Sequence, residues 1–307
     1  MTRRRFVTVD VFTDRLFGGN PLAVVLQAEG LSATTMQGIA REFGYSETTF
    51  VLPPHDPAHS ARVRIFTPTT EIPFAGHPNV GTAIVLARHG LPNDRPAGNR
   101  LVFEEDAGLV PLTLTRDEAG RVVRAELTAP EPLRKLGVVA VADVAVCLSL
   151  PSDAVVDGRH PPLVASVGLP FVIVELRDAA RLAAARPDLA AFRRVLPPPG
   201  SEHGSDAVFC YVVTATAPAR CSIRARMFAP LDDILEDPAT GSAAAALTAL
   251  LGELSGGETI DADIRQGEEM GRPSTITASA ARSPQGWIAK VAGTAVDVME
   301  GTIAVPS

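Results

Sequence analysis

The chain has 307 residues, 46% hydrophobic and 21% charged, enough for one large core or two moderate ones at roughly 150 residues per domain. With 28 Lys and Arg against 35 Asp and Glu, the net charge of −7 argues against wholesale capture of nucleic acid or anionic lipid. Three cysteines, Cys147, Cys210 and Cys221, form no C-x-x-C pair or disulfide framework, and no run of 18 apolar residues could span a membrane.

The basic start MTRRRFVTVDVF is interrupted by Asp10 and Asp14 and reads as a strand, so a cytoplasmic location is expected. Strands are predicted at 5–13 and 22–27, separated by the turn residues FGGNP at 17–21. A helix follows at 33–43, capped by Ser32 and stopped at Gly44. Further strands fit 48–52, 61–67, 100–104 and 109–115, and a helix fits 78–88, ending at Gly90. The mixed stretch 116–135 reads as a crossover. Beyond it, helices fit 143–150, 178–185 and 188–194, with strands at 163–167 and 171–176. PPPGSEHGS at 197–205 reads as a loop. Strands at 206–215 and 220–228, an Ala-rich helix at 238–251 and short strands to 305 complete an α+β chain.

One repeat organises these elements. Arg64-Ile65-Phe66-Thr67-Pro68 returns as Arg226-Met227-Phe228-Ala229-Pro230, displaced by 226 − 64 = 162 residues. Each copy is followed by acidic residues (Glu71; Asp232, Asp233 and Glu236) and then by a Pro-initiated, small-residue helix, GHPNVGTA or EDPATGSA. The shift is near half the chain length and suggests two related domains, each with one central helix.

Proline at the first helical position has its φ preset and lacks an N–H that would have no partner anyway, and the remaining free N–H groups favour an anion. The small residues Gly76, Gly81, Gly241, Ser242 and Ala243 let a ligand approach the backbone. Were the two starts brought together, they would suit a small carboxylate.

Four side chains near these starts have two readings each. Asp237 is an N-cap worth about 1 kcal/mol, or part of the chemistry. His77 is a turn or capping residue, or an acid/base. Ser242 bonds back to the backbone, or contacts a ligand. Glu47, in GYSETTFV, is solvated or a local cap, or it carries a proton, since a carboxylate in a partly apolar cleft can take and return one near pH 7.

Dinucleotide, P-loop, zincin and nucleophile-elbow motifs are absent. His55 and His59 are four apart, but Pro57 prevents the helix that would pair them on a metal, so no metal is expected there.

VDVFTDRLFGGNPLAVVL, SETTFV, RIFTPTTEIPFAGHPNVGTAI, RMFAPLDDILEDPATGSAAAAL, RQGEEMGRPS and VAGTAVDVMEGTI together resemble the phenazine-biosynthesis PhzF family over nearly the whole chain. The resemblance implies a diaminopimelate epimerase-like fold: two similar, pseudo-twofold-related α+β domains, each a curved, mostly antiparallel sheet around a central helix, with the active cleft between them. The expected domains are 1–125 and 126–289, with the strand at about 290–307 returning to the first, and a homodimer as the assembly.

The same resemblance makes Glu47 the acid/base, with His77, Asp237 and Ser242 beside it, and the backbone of Gly76, His77, Gly241 and Ser242 the carboxylate anchors. The implied activity is cofactor-free isomerisation of a small unsaturated or cyclic carboxylate by proton transfer, with secondary metabolism as one candidate setting. Neither nucleic acid nor membrane is an expected partner.

Two alternatives are an amino-acid racemase or epimerase and a non-catalytic binding protein on the same fold. Racemases of this fold use two opposed thiols at the helix starts, where this chain carries Ala75 and Pro238 or its neighbour.

Overall fold

Alternation of apolar and polar residues drives much of this chain into strands, and two stretches of small apolar residues become helices that the strands enclose. The computed structural model describes residues 2–92, 95–196 and 205–306. The first elements are β1 (Thr2–Val11), β2 (Asn20–Val25), α1 (Ala33–Phe43), β3 (Glu47–Leu52), β4 (Ala61–Phe66), β5 (Glu71–Ile72) and α2 (Gly76–His89). There follow β6 (Arg100–Glu105), β7 (Gly108–Arg116), β8 (Val122–Thr128), β9 (Arg134–Val138), α3 (Val141–Cys147), β10 (Val155–Val156), β11 (Leu163–Ser166), β12 (Pro170–Leu176), α4 (Ala179–Ala184) and α5 (Leu189–Val195). The last are β13 (Val208–Ala217), β14 (Arg220–Ala229), β15 (Ile234–Asp237), α6 (Gly241–Ser255), β16 (Thr259–Gln266), β17 (Ser274–Ser283), β18 (Gly286–Gly293) and β19 (Ala295–Val305).

The chain divides into two units, Met1–Pro130 with Ala292–Ser307, and Glu131–Val291. In the first unit β1 runs antiparallel to β2, β2 parallel to β3, β3 antiparallel to β4, and β4 antiparallel to β5 but parallel to β6. In the second, β11 runs antiparallel to β12, β12 parallel to β13, β13 antiparallel to β14, and β14 antiparallel to β15 but parallel to β16. The order and sense of pairing repeat element for element, which is the structural form of the sequence repeat. Further antiparallel strands extend both units, among them β19 on β1 and β7 on β6 in the first, and β9 on β11 and β17 on β16 in the second.

Each sheet packs on one helix. The first eleven residues of α2 and the first twelve of α6 are buried, so neither helix presents a polar face to water over that length. Fully burying Leu247, Leu250 and Leu251 of α6 contributes about 2 kcal/mol each relative to exposure. In the second unit α6 passes close to the sheet at Gly252, where a Cβ would lie 2.4 Å from the Trp287 ring. Smaller clusters seal the flanks: Met36, Ile39, Phe50 and Phe66 under α1, and Val144, Cys147, Leu182 and Phe192 under the short helices of the second unit.

The helix at 33–43 forms as the sequence predicts: Ser32 accepts from the Thr35 N–H at 3.1 Å, and Gly44 closes the helix at φ 64°. Three expectations need correction. The crossover predicted at 116–135 contains β8, where Val122, Ala125 and Leu127 turn inward between more exposed neighbours and alternation prevails over the local charge. The final strands are not short, since β16 to β19 have 8, 10, 8 and 11 residues. Neither central helix begins on its proline: α2 starts at Gly76 with Pro78 third, and α6 starts at Gly241, three residues after Pro238. Pro78 costs no hydrogen bond there, because first-turn N–H groups have no partner within a helix. The loop predicted at 197–205 lies, apart from Ser205, outside the described residues.

Candidate active site

In each unit the R-x-F-x-P segment holds the approach to the central helix. The Arg64 guanidinium donates twice to Glu71 on β5, at 2.6 Å each, and stacks 5.2 Å over Phe66. Arg226 donates to Glu236 on β15 at 2.7 and 2.8 Å and stacks 4.8 Å over Phe228. The acidic residues that follow each repeat thus include a bidentate partner for its arginine. Arg226 is the deeper of the two, and its remaining nitrogen donates to the carbonyls of Leu182, Ala183 and Ala185.

At the start of α2, the buried His77 occupies the second helical position, and its Nε2 stands 3.4 Å from Oε2 of Glu47, the first residue of β3. Glu47 is 14% exposed and His77 4%, so the pair is shielded without being sealed from water. Burial alone holds the His77 imidazole down, to about 3, and the ring is therefore neutral at neutral pH. On its other side Nδ1 lies 3.2 Å from the Asn20 amide nitrogen, and the Asn20 carbonyl accepts from the Ser46 hydroxyl at 2.9 Å. Asn79, two residues beyond His77, donates to the Ala75 carbonyl at 3.0 Å and fastens the helix start. Against Asn79 lies Glu105, whose carboxyl oxygens are buried although the residue as a whole is half-buried. Burial pushes this carboxyl up to about 8, with the Asp106 charge adding to the shift and Asn79 opposing it.

In the second unit, Asp237 ends β15, and its Oδ2 accepts from the Thr240 hydroxyl at 2.6 Å. The buried Gln266 accepts from the Thr240 N–H at 3.0 Å and donates to Thr240 Oγ1 at 2.9 Å and to the Asp237 carbonyl at 2.7 Å. Asp237 therefore braces the turn before α6, and Thr240, not Asp237, stands at the N-cap position. By position, the counterpart of Ala75 at the head of α2 is Thr240 rather than Pro238.

Exposed helices are capped in the usual way, α1 by Ser32, α4 by Asp178 and α5 by Asp188. The buried starts of α2 and α6 have no side-chain cap, and their leading residues Gly76, His77, Gly241 and Ser242 are all buried. Helix α3 also lacks a side-chain cap, but it begins at the exposed Ala140, where water can serve. Uncapped, buried helix starts with the positive end of the dipole are suited to an anion.

Sequence reasoning thus singled out residues that gather within each unit: Glu47, Gly76 and His77 in the first, Asp237, Gly241 and Ser242 in the second. It missed Asn20, Ser46, Thr240 and Gln266. Asn20 stood in the FGGNP turn and Ser46 beside Glu47, but polar residues in turns carry no local mark of the partner they will reach. All three cysteines lie away from the helix starts, Cys147 on α3, Cys210 on β13 and Cys221 on β14. Burial pushes the thiols of Cys147 and Cys210 up to about 12, the reverse of what a thiolate base needs. No cluster of metal-ligating side chains occurs among the described residues, and no helix is long and apolar enough to cross a membrane.

These features define a diaminopimelate epimerase-like protein. The fold is shared with a PhzF-family phenazine biosynthesis protein of Bacillus anthracis, with a TM-score of 0.84 at 24% identity covering 99% of this chain and 100% of the other. It is also shared with a probable proline racemase of Agrobacterium radiobacter, with a TM-score of 0.65 at 14% identity covering 98% and 93%. Residues 9–301 match the family described as phenazine biosynthesis-like protein, PhzC-PhzF, and the chain belongs to that family and is a PhzF-like isomerase. It is 38% identical over 303 residues to the trans-2,3-dihydro-3-hydroxyanthranilate isomerase of Pseudomonas chlororaphis, covering 97% of this chain and 98% of that one.

Proposed function

We propose that the chain isomerises a small cyclic or unsaturated carboxylate of the trans-2,3-dihydro-3-hydroxyanthranilate type, with Glu47 carrying the proton. Glu47 removes a proton from a carbon next to the unsaturated system, the electron pair of that C–H bond moves into the conjugated system, and protonation at another carbon completes the shift. Atoms and electrons balance within the substrate, so the step needs no redox partner. The neutral His77 presents an N–H to the Glu47 carboxylate or to charge developing on the substrate. Each uncapped helix start offers its leading N–H groups as a seat for a carboxylate, Gly76 and His77 in the first unit and Gly241 and Ser242 in the second, and Asp237, braced by Thr240, can accept a hydrogen bond.

One observation carries this reading: a half-shielded carboxylate at the head of a strand, 3.4 Å from a buried neutral imidazole at the uncapped start of a buried helix. The racemase alternative requires thiolates, which the raised cysteines and their positions do not supply.

Glu47→Gln tests the proposal. Turnover of the dihydro-hydroxyanthranilate is expected to fall about 1,000-fold, within the range ascribed to a positioned acid/base, at unchanged thermal stability. Unchanged turnover would remove Glu47 from the mechanism. The homodimer and cytoplasmic location that accompany this reading are checked by light scattering and cell fractionation.

A further inference from the structure

The His77 ring sits between two polar neighbours that constrain its proton from opposite sides: the Asn20 amide, hydrogen-bonded at Nδ1, and the Glu47 carboxylate, an electrostatic approach of 3.4 Å at Nε2 rather than a formed hydrogen bond. Nε2 faces the Glu47 carboxylate, which when ionised can only accept. A neutral imidazole carries one proton, so an Nε2–H directed at Glu47 leaves Nδ1 as a bare acceptor. That acceptor is 3.2 Å from the amide nitrogen of Asn20, which is fully buried at the start of β2. The Asn20 carbonyl is turned the other way, accepting from Ser46 Oγ at 2.9 Å. With Glu47 ionised, the donors and acceptors agree in one sense: Ser46 O–H to Asn20 Oδ1, Asn20 N–H to His77 Nδ1, His77 Nε2–H toward Glu47.

We infer that Asn20 is a positioning residue, and that with Ser46 it fixes the His77 tautomer so that the ring presents a hydrogen, never a lone pair, to the proton-carrying carboxylate. The catalytic consequence rests on the reading of Glu47 as the proton carrier, whereas the tautomer itself does not. A lone pair on Nε2 would face the ionised carboxylate with no hydrogen between them and would favour its protonated form. Such an acid could not begin the reaction by accepting a proton. The sequence offers a reason for an otherwise costly buried asparagine: a buried amide that is not hydrogen-bonded on both sides would be destabilising. Aspartate in its place could only accept, and would draw the ring proton to Nδ1.

Nitrogen-15 NMR of the His77 ring reads this directly, with His77→Asn used to assign its signals. The wild-type protein is expected to show protonated Nε2 and bare Nδ1, and Asn20→Asp to show protonated Nδ1, with kcat falling about 100-fold, as expected for a misdirected catalytic group, and KM little changed. Ser46→Ala releases the Asn20 amide and is expected to give partial protonation at Nδ1, so the inference does not depend on Asn20→Asp folding. A wild-type ring protonated on Nδ1, or a bare Nδ1 retained in both variants, overturns the tautomer assignment. A relocated proton with unchanged kcat overturns the positioning role. A failure confined to Glu47→Gln would instead remove the proposed mechanism and leave the NMR result standing.

Discussion

The two units share their strand pairings, their buried central helix and their arginine latch, yet they carry different chemistry at equivalent places. Thr48 pairs with Phe66 in the first unit as Val208 pairs with Phe228 in the second, so the residue matching Glu47 is Ala207. His77 and Ser242 are both second residues of their helices. Conversely, Asp237 faces Met227 where the first unit has Ile72 facing Ile65, so an acid at this position belongs to the second unit alone. Equivalent backbones have thus divided the polar work. The packing that holds each helix start was kept, and the side chains displayed there diverged, because packing constrains shape while chemistry needs only a few positions.

The latches give the sharpest way to break the equivalence. Arg226 is 3% exposed and Glu236 15%, against 25% and 27% for Arg64 and Glu71. Removing one partner of a buried ion pair leaves an uncompensated charge, so Glu236→Ala should lose about 3–5 kcal/mol in denaturant unfolding. Glu71→Ala should lose about 1 kcal/mol, since its arginine can reach water. Equal losses would mean that burial does not distinguish the latches.

The helices differ next. Alanine at Gly252 would drive its Cβ into the rigid Trp287 ring at 2.4 Å, whereas at Gly81 it meets the methyl ends of Leu22 and Val11 at 2.6 and 2.7 Å. Thermal unfolding should show Gly252→Ala losing about 1–3 kcal/mol, the usual cost of overpacking, and Gly81→Ala less, because methyl ends can turn aside. The reverse order would place the tighter sheet contact in the first unit.

A third contrast depends on pH and belongs to the first unit. The Glu105 carboxyl, raised to about 8 in the folded chain, favours the folded state most while protonated. Its contribution is fully present below its ordinary value near 4.5 and is lost as pH rises from there through 8. Melts at pH 5 and pH 8.5 should therefore show Glu105→Gln gaining stability relative to wild type at the higher pH. A difference independent of pH would show that the carboxyl is not held neutral. A comparably small effect is expected at an exposed cap, where Ser32→Ala should lose about 1 kcal/mol in unfolding and leave turnover unchanged.

What could be read in advance follows from the range of each signal. The cap at Ser32, the stop at Gly44, the alternating strands and the 162-residue repeat are local or self-referential patterns, so they announced elements and duplication directly. The strand hidden in 116–135 was obscured because its charged residues occupy the outward positions of an alternation only seven residues long. Helix starts were misplaced by up to three residues because proline marks a turn's vicinity, while the first helical residue depends on how the preceding strand ends. Glu47 and His77 were legible as motif residues of a known family, but neither carries any local sign of the other.

The amino-acid order by itself determined the α+β class, the two related halves and the residue types available for acid/base chemistry, since periodicity, turn residues and repetition are properties of neighbours along the chain. Only the tertiary structure decided that residues 30 apart, Glu47 and His77, come within 3.4 Å. It alone placed Asn20 behind the imidazole and buried the ring deeply enough to keep it neutral. Distance, burial and proton sharing arise when strands pair across long loops, and they have no counterpart in the order of residues.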